Sequence, residues 1–594
     1  MATLTGLPSS GGLAAGPVFL HVSLDGDAPV AECAIAPDAA EQEISRYREA
    51  RAEARRQIEA LSAKLGADAA ANVFANHLEM LEDPLFVSKT EETVRNGLVN
   101  AECAIRRVAG EFREKLGGMD DPYLRERARD IEDVERRILR ILLGSEESAF
   151  ASVTEPVVIV AGDLAPSDTL ALPRHLVLGI ATDHGSAVSH VGLLARAMGI
   201  PAVVGLGDVT RRVRPGERIL VDGSRGTVTI APDAATDAAF GKLMRREKEL
   251  EAMVAEDRLL PGAMKDGTPL KIVANMQPGM PFGTLAAFGA QGVGLYRTEY
   301  LWIGADSEPD EEEQTAAYSE AVRAVNAATG LQGRVIFRCL DLGGDKLMRG
   351  AKPTEQNPFL GNRSIRWLLG HRDAFRTQLR AILRASALGK SAVMFPMIST
   401  VSELRQCNEE LEKAKSELRA AGVAFDGAIM RGAMIETPAA AMCADQLAAE
   451  VDFFSIGTND LVQYAMAADR GNEQVAYLSK PSDPAVVRLV ENTCRRAKEG
   501  GIHVCVCGES AADPVMAVLW VGLGVEVLSM SASFIPAVKK TLRSVTLPEA
   551  EALAAEVLDA CKTATADEIY AKCRDFLRGK VPEFDEIAGL SGAV

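Results

Sequence analysis

Six polar residues stand at the ends of strongly apolar segments in the second half of this chain. Arg297 closes GVGLYR, Arg338 closes VIFR, Glu436 follows GAMI, Asn459 and Asp460 follow FFSIGT, and Cys507 follows VCV. Glu436 and Asp460 are carboxylates with no thiolate or imidazole in their motifs. Hard oxygen donors of that kind suit Mg2+, which keeps several waters and bridges to substrate oxygens. Arg297, Arg338 and Arg470 bring forked donors that match carboxylate and phosphate oxygens. A cation with arginines implies a small substrate carrying several negative charges, such as phosphoenolpyruvate, oxaloacetate or a pyruvate adduct. These residues alone leave two chemistries open: phosphoryl transfer, and carbon–carbon cleavage through a metal-bound enolate.

A second candidate lies in the first half, within TDHGSAVSHVGLLARAMGIP (182–201). The pattern there predicts a helix from about Ser189 to Met198, closed by Gly199 and Pro201. His190 then falls in a first helical turn, where unpaired N–H groups and the positive end of the dipole would stabilise a phosphate on the imidazole. His184, in the preceding loop, is the rival.

The elements that must position these residues can be read from periodicity. In the second half, strand and helix patterns alternate, with strand candidates at 271–276, 292–297, 335–341, 392–398, 432–437, 453–460, 504–509 and 525–530. Most are near-continuous apolar runs, as expected of parallel strands buried on both faces. Eight such units predict a (β/α)8 barrel, whose active sites lie at the C-terminal ends of the strands. In the first half, residues 1–30 read as short strands. Strand signals return at PVVIVAG and HLVLGIAT, and ERILVDGSRGTVTIAP reads as a hairpin. Between them the spacing is helical: Ile44, Ile58, Leu61 and Leu65 share one face, as do Ala101, Ile105, Val108, Phe112 and Leu116, and Leu124, Ala128, Ile131, Ile138 and Leu142. The expectation is therefore a multidomain α/β chain. Residues 1–30 and 147–233 form one α/β domain, with an α-helical bundle inserted at 31–146. A linker helix spans 234–261, a (β/α)8 TIM barrel 262–577, and a tail 578–594.

Composition narrows the class. The 594 residues are 47% hydrophobic and 25% charged, too long for a single core. No apolar run approaches the ~20 residues of a membrane span, and the N-terminal segment lacks a secretory layout. Together with ten scattered Cys residues, these features point to the cytoplasm. A formal charge of −18 speaks against nucleic-acid binding, which needs a basic footprint.

The segment around His190 resembles the phosphohistidine signature of the phosphoenolpyruvate-utilising enzymes, most closely the enzyme I family of the bacterial sugar phosphotransferase system. HLEMLEDP (77–84) and the run 120–144 are similar to that family's phosphocarrier-binding helices, and LAPSDT (164–169) to the loop preceding its phosphohistidine. GVGLYRTEYLW, DLGGDK, NPFLGNRSIR, MFPMI, IETPAA, VDFFSIGTNDLVQYAMAADRGN and CGES are similar to its barrel motifs, in family order. The resemblance implies phosphoryl transfer from phosphoenolpyruvate to His190 and then to a histidine of a phosphocarrier protein (HPr), with release of pyruvate. It implies that Arg297, Arg338, Asn459, Asp460 and Arg470 bind phosphoenolpyruvate, with Arg363 a lesser candidate. Glu436 and Asp460 would bind Mg2+, and Cys507 would protonate the enolate. Thr169 and Arg196 would neighbour His190, the linker helix would carry the phosphohistidine between its two partners, and the chain would be a homodimer. The sequence departs from the family pattern at Ser186, Val188 and Val191, beside the histidine. A carbon–carbon lyase using the same barrel would have no use for His190 or the helical insert. A non-catalytic signalling relative is the other alternative.

Overall fold

The computed structural model describes residues 1–21, 33–65, 77–78, 80–117, 122–144, 150, 153–164, 173–185, 192, 195, 200–303, 305, 307–343, 355, 357–470, 472, 474–581 and 583–590. The chain divides into two units, Met1–Glu247 and Lys248–Val594.

In the first unit, short β-branched runs alternate with Gly and Pro turns, which suits a sheet of many short strands. These are β1 (Ala2–Thr5), β2 (Leu7–Ser10), β3 (Leu13–His21), β4 (Val157–Ala161), β5 (Val177–Thr182), β6 (Ala202–Val204), β7 (Arg218–Asp222) and β8 (Thr227–Ile230). They form one sheet in the order β1-β8-β7-β3-β4-β5-β6-β2. β3 to β6 pair in parallel, and the remaining pairs are antiparallel. β1 and β2 are separated only by Gly6 yet lie at opposite edges. A Cβ on Gly6 would stand 2.5 Å from the Val204 carbonyl oxygen, so the chain can cross there only as glycine. Strand β4 alternates between two apolar layers: Val158 and Val160 face one, Ile159 and Ala161 the other. Burial on both faces is why it reads as an unbroken apolar run.

Between β3 and β4 come the helices α1 (Ala40–Leu65), α2 (Pro84–Gly97), α3 (Ala101–Gly117) and α4 (Pro122–Leu142). Asp83 starts α2 by accepting the Leu85 and Phe86 N–H groups, with Pro84 in the first turn where no N–H is needed. Ile58, Ile105, Val108, Ile131 and Ile138, drawn from all three predicted stripes, are buried together with Phe86; Ile44 packs in a separate cluster, and the side chains of Leu61, Leu65, Leu124 and Ala128 lie outside the described residues. α5 (Ala234–Asp257) then leads from the first unit into the second, where its Leu250 joins the barrel core.

The second unit is a closed barrel of eight parallel strands: β9 (Lys271–Met276), β10 (Val293–Arg297), β11 (Val335–Arg338), β12 (Ser391–Phe395), β13 (Met430–Ile435), β14 (Phe453–Ile456), β15 (His503–Val506) and β16 (Val527–Met530). β9 closes on β16. Leu295, Met394, Met434 and Phe453 fill the interior. A Cβ on Gly432 would meet the Phe453 ring at 2.3 Å, so glycine makes room for that ring. The fold class expected from the sequence is the one observed. Five of the eight barrel strands, β11 to β15, end two to four residues earlier than predicted. Residues 453–460 were expected as strand, but β14 stops at Ile456 and α6 (Thr458–Met466) starts after Gly457, with Asp460 in its first turn, where an acid favours a helix start. The segment expected as a tail contains a helix, Phe584–Leu590, whose Phe584 and Ile587 are buried in the barrel core.

Candidate active site at the mouth of the barrel

Most candidate site residues of the barrel are delivered at or just past the ends of strands, and Arg363 and Arg470 come from the connections between helices. Arg297 and Arg338 are the last residues of β10 and β11. Glu436 and Cys507 immediately follow β13 and β15, and Asn459 and Asp460 lie in the first turn of α6. Parallel strands put all these ends on one face, so residues far apart in sequence converge.

The centre of the site is a buried chain of alternating charges. Arg338 Nη2 pairs with Glu299 and stands 3.2 Å from Asp341 Oδ2. The other oxygen of Asp341, Oδ1, accepts a hydrogen bond from Arg363 Nη2 at 2.9 Å. Arg363 Nη1 lies 3.2 Å from the Tyr464 hydroxyl and 3.4 Å from Asp460 Oδ1. Arg470 Nη1 approaches the second oxygen of Asp460 at 3.8 Å. Arg338, Arg363, Glu299, Asp341, Glu436 and Asp460 are all buried, which charged side chains tolerate only when paired. Burial opposes the charge on Arg338, but Glu299, Asp341 and Glu436 more than restore it, so the guanidinium stays ionised. The Nε atoms of Arg338 and Arg363 have no acceptor among the described residues. Buried donors of that kind fit an anionic ligand.

Glu436 is held from behind. Its Oε1 accepts the Met397 N–H at 2.6 Å, and Met397 adopts a left-handed backbone with φ 54° to present it. That is a strained conformation for a non-glycine residue, of the kind retained at functional sites. A Cβ on Gly457 would lie 2.8 Å from Glu436 Oε2, so glycine there leaves the carboxylate space. Burial first, then Asp460 and Asp341, push the Glu436 carboxyl up, and Arg338 and the Met397 N–H reverse only part of this. Two buried oxygen-donor side chains with unbalanced negative charge fit a hard divalent cation. Among the described residues, no group of three or more His, Cys, Asp or Glu side chains converges to hold a metal, so water and substrate oxygens must complete any coordination.

Cys507 is buried at the same mouth. Burial pushes its thiol up to about 11, against the opposing influence of the Ser455 hydroxyl, Arg338 and Arg297. It is therefore a protonated thiol at neutral pH, able to give a proton. Asn459 Oδ1 accepts the Glu509 N–H at 2.9 Å, tying the ends of β14 and β15 together. Arg297 is half-buried and makes no ion pair among the described residues.

The structure thus brings Arg338, Glu436, Asn459, Asp460, Arg470 and Cys507 to one face, with Arg297 at its edge. It gives Arg363 a central place, where sequence reasoning ranked it lower. Glu299, Asp341 and Tyr464 were not singled out. The available signal was their setting: Glu299 two residues after Arg297, and Asp341 closing the run VIFRCLD. His190, Thr169, Arg196, Ser186, Val188 and Val191 lie outside the described residues. Asp183 accepts from the Thr210 N–H at 3.1 Å and from its hydroxyl. The Thr182 hydroxyl donates to the His184 carbonyl at 2.6 Å.

Three family descriptions match the chain in succession: PEP-utilising enzyme, N-terminal, over residues 5–127; PEP-utilising enzyme, mobile domain, over 153–226; and PEP-utilising enzyme, PEP-binding domain, over 251–547. A phosphoenolpyruvate-protein phosphotransferase of Bacillus sp. (strain S) is 42% identical over 537 residues, 89% of this chain and 91% of the relative. The chain belongs to the phosphoenolpyruvate-protein phosphotransferase family. Another phosphoenolpyruvate-protein phosphotransferase, of Listeria innocua serovar 6a, is 40% identical and covers 95% of this chain and 98% of its own length. A solution structure of an Enzyme I protein is 33% identical, covers 41% of this chain and 99% of its own, and has a TM-score of 0.35. Like its phosphotransferase relatives, this chain is a transferase built on a phosphoenolpyruvate-binding barrel. Among the described residues no helix is long and apolar enough to cross a membrane.

Proposed function

We propose that the buried Arg338–Asp341–Arg363–Asp460 chain, with Glu436 and Cys507 beside it, binds phosphoenolpyruvate and releases pyruvate after its phosphoryl group passes to His190. The observation that carries this reading is the combination of arginines with orphaned Nε donors, two cation-suited carboxylates and a protonated thiol at one barrel mouth. Arg297, Arg338, Arg363, Asn459 and Arg470 orient the phosphate and carboxylate groups, since phosphoryl transfer is mainly positioning and charge stabilisation. Glu436 and Asp460 would hold Mg2+, which supplies neutralising charge to phosphate and enolate oxygens when bound. His190 takes the phosphoryl group on an imidazole nitrogen, and enolpyruvate leaves with a bond still to form at its methylene carbon. Cys507 Sγ gives that carbon its proton, and burial keeps the proton on sulfur until negative charge develops nearby.

The phosphohistidine then passes its group to a histidine of a phosphocarrier protein at the α1–α4 bundle. On this reading residues 1–30 and 147–233 are the phosphohistidine domain, 31–146 the carrier-binding domain, 234–261 the linker and 262–577 the phosphoenolpyruvate domain. Family resemblance adds a homodimer. Ten free cysteines favour the reducing cytoplasm.

Incubation with 32P-labelled phosphoenolpyruvate and Mg2+ tests the whole. Acid-labile label should appear on the wild-type chain, chase onto an added carrier, and be absent from His190→Ala, which still binds phosphoenolpyruvate. Label retained by His190→Ala moves the acceptor elsewhere, with His184 next. Pyruvate release without protein label would favour the lyase.

A further inference from the structure

Asp341 stands between two arginines, with one oxygen toward each. Oδ2 is 3.2 Å from Arg338 Nη2, and Oδ1 accepts from Arg363 Nη2 at 2.9 Å. Arg363 also faces Asp460, at the longer distance of 3.4 Å from Nη1 to Oδ1. Arg363 thus has two competing carboxylates, and the better hydrogen bond goes to Asp341. The side chain cannot withdraw from the contest: it is 1% exposed, and Gly343 packs against it so closely that a Cβ there would lie 2.4 Å from Arg363 Cβ.

We propose that Asp341 is a positioning residue that draws Arg363 away from Asp460 and so leaves the Asp460 carboxylate available to a divalent cation. The inference rests on the reading of Glu436 and Asp460 as cation ligands. A guanidinium and a cation compete for the same carboxylate lone pairs, and in a buried site neither can be replaced cheaply by water. With Asp341 neutralised, Asp460 is the charged carboxylate left within hydrogen-bonding reach of Arg363 among the described residues. Arg338 keeps Glu299 in that case, so the substrate-facing arginine stays anchored while the cation position is lost. Asp341 therefore couples two parts of the site, substrate arginines and cation carboxylates, through one side chain.

The test measures binding without turnover. Mn2+ is titrated into the full chain in the absence of phosphoenolpyruvate, and free Mn2+ is followed by electron paramagnetic resonance. Asp341→Asn should weaken Mn2+ binding by about tenfold, as expected when a buried cation faces one more unbalanced positive charge. Arg363→Gln should tighten it. The double variant Asp341→Asn/Arg363→Gln should return to within about threefold of wild type, because the competing guanidinium is gone. Glu436→Gln and Asp460→Asn, measured in the same titration, separate the two readings. If neither weakens Mn2+, the ligand assignment fails. If both weaken it but Asp341→Asn does not, or the double variant stays as weak as Asp341→Asn, the positioning role is overturned while the ligand assignment stands. Should Asp341→Asn fail to fold, Arg363→Gln still decides, since unchanged or weaker Mn2+ binding contradicts the competition.

Discussion

Cys507 and Glu436 show how one environment sets two opposite protonation demands. The Cys507 thiol, pushed up to about 11 by burial, remains a proton donor across the physiological range. Cys507→Ala should therefore lower kcat by about 10²- to 10⁴-fold, the usual worth of a positioned acid, with a much smaller effect on phosphoenolpyruvate affinity, as rapid-quench kinetics beside equilibrium binding will show. A loss of affinity at unchanged turnover contradicts the donor role. Glu436 is pushed up as well, and the sign follows from proton linkage. Between the ordinary carboxylate value of 4.5 and the raised one, the folded metal-free site binds more protons than the unfolded chain. Its contribution to stability therefore falls as pH rises through that window, and Mg2+ removes the penalty by replacing the proton. Mg2+ affinity should accordingly rise with pH over the same window. Glu436→Gln should abolish that pH dependence and raise the Mg2+ requirement by at least the ~10-fold that even an outer partner can cost. Calorimetric Mg2+ titrations at several pH values check both; a variant with wild-type pH dependence dismisses Glu436 as a ligand.

At the scale of elements, the strands deliver the site and the loops and caps aim it. Gly457 spaces β14 from α6 and leaves room for Glu436; Met397 spends backbone strain to point one N–H at it. The barrel's entry is held by a different device. Lys539 is buried in the helix Ile535–Leu542, and its ammonium donates to the carbonyls of Arg258, Leu260 and Gly289. Nearby, Asp257 pairs with Lys540 at 3.0 Å and Arg543 at 3.4 Å. Hydrogen bonds from a charged donor contribute more than neutral ones, so Lys539→Met should cost the barrel about 2–3 kcal/mol. Lys540→Ala, which removes a partly exposed pair, should cost less than about 1 kcal/mol. Denaturant unfolding of the full chain followed at the barrel tryptophans will read both. Equal small losses would mean that the three carbonyls find other donors.

At the scale of the molecule, the first unit has its own sheet and bundle cores, and the second has its own large core and barrel interior. Residues 1–247 should therefore fold alone. On the proposed function this fragment carries His190 and the carrier-binding helices, so it should exchange phosphate with an already phosphorylated carrier. It should be inert toward phosphoenolpyruvate, because every proposed cation ligand and phosphoenolpyruvate-binding arginine lies beyond its end. Residues 248–594 should bind phosphoenolpyruvate and Mg2+ without phosphorylating a carrier. Labelling assays on the two purified fragments check this, and direct phosphorylation of the first fragment by phosphoenolpyruvate would refute the two-site scheme.

The sequence by itself determined the architecture and singled out most of the residues that the structure gathers at the barrel mouth. Doubly buried strands must be apolar throughout, and a barrel active site must sit where those strands end. Arg297, Arg338, Glu436 and Cys507 were therefore visible as polar residues closing apolar runs. Only the tertiary structure decided which charges share a partner. Glu299 and Asp341 are not singled out along the chain and Arg363 is only a lesser candidate, because spacing says nothing about a neighbour 22 or 39 positions away. The same limit explains why β14 was read through to residue 460: an apolar run marks burial, but helix α6 begins where Gly457 lets the backbone turn. Distance in sequence hides a charge network, since Coulombic and hydrogen-bonded contacts depend on position in space. Burial then converts those contacts into the protonation states that the chemistry needs.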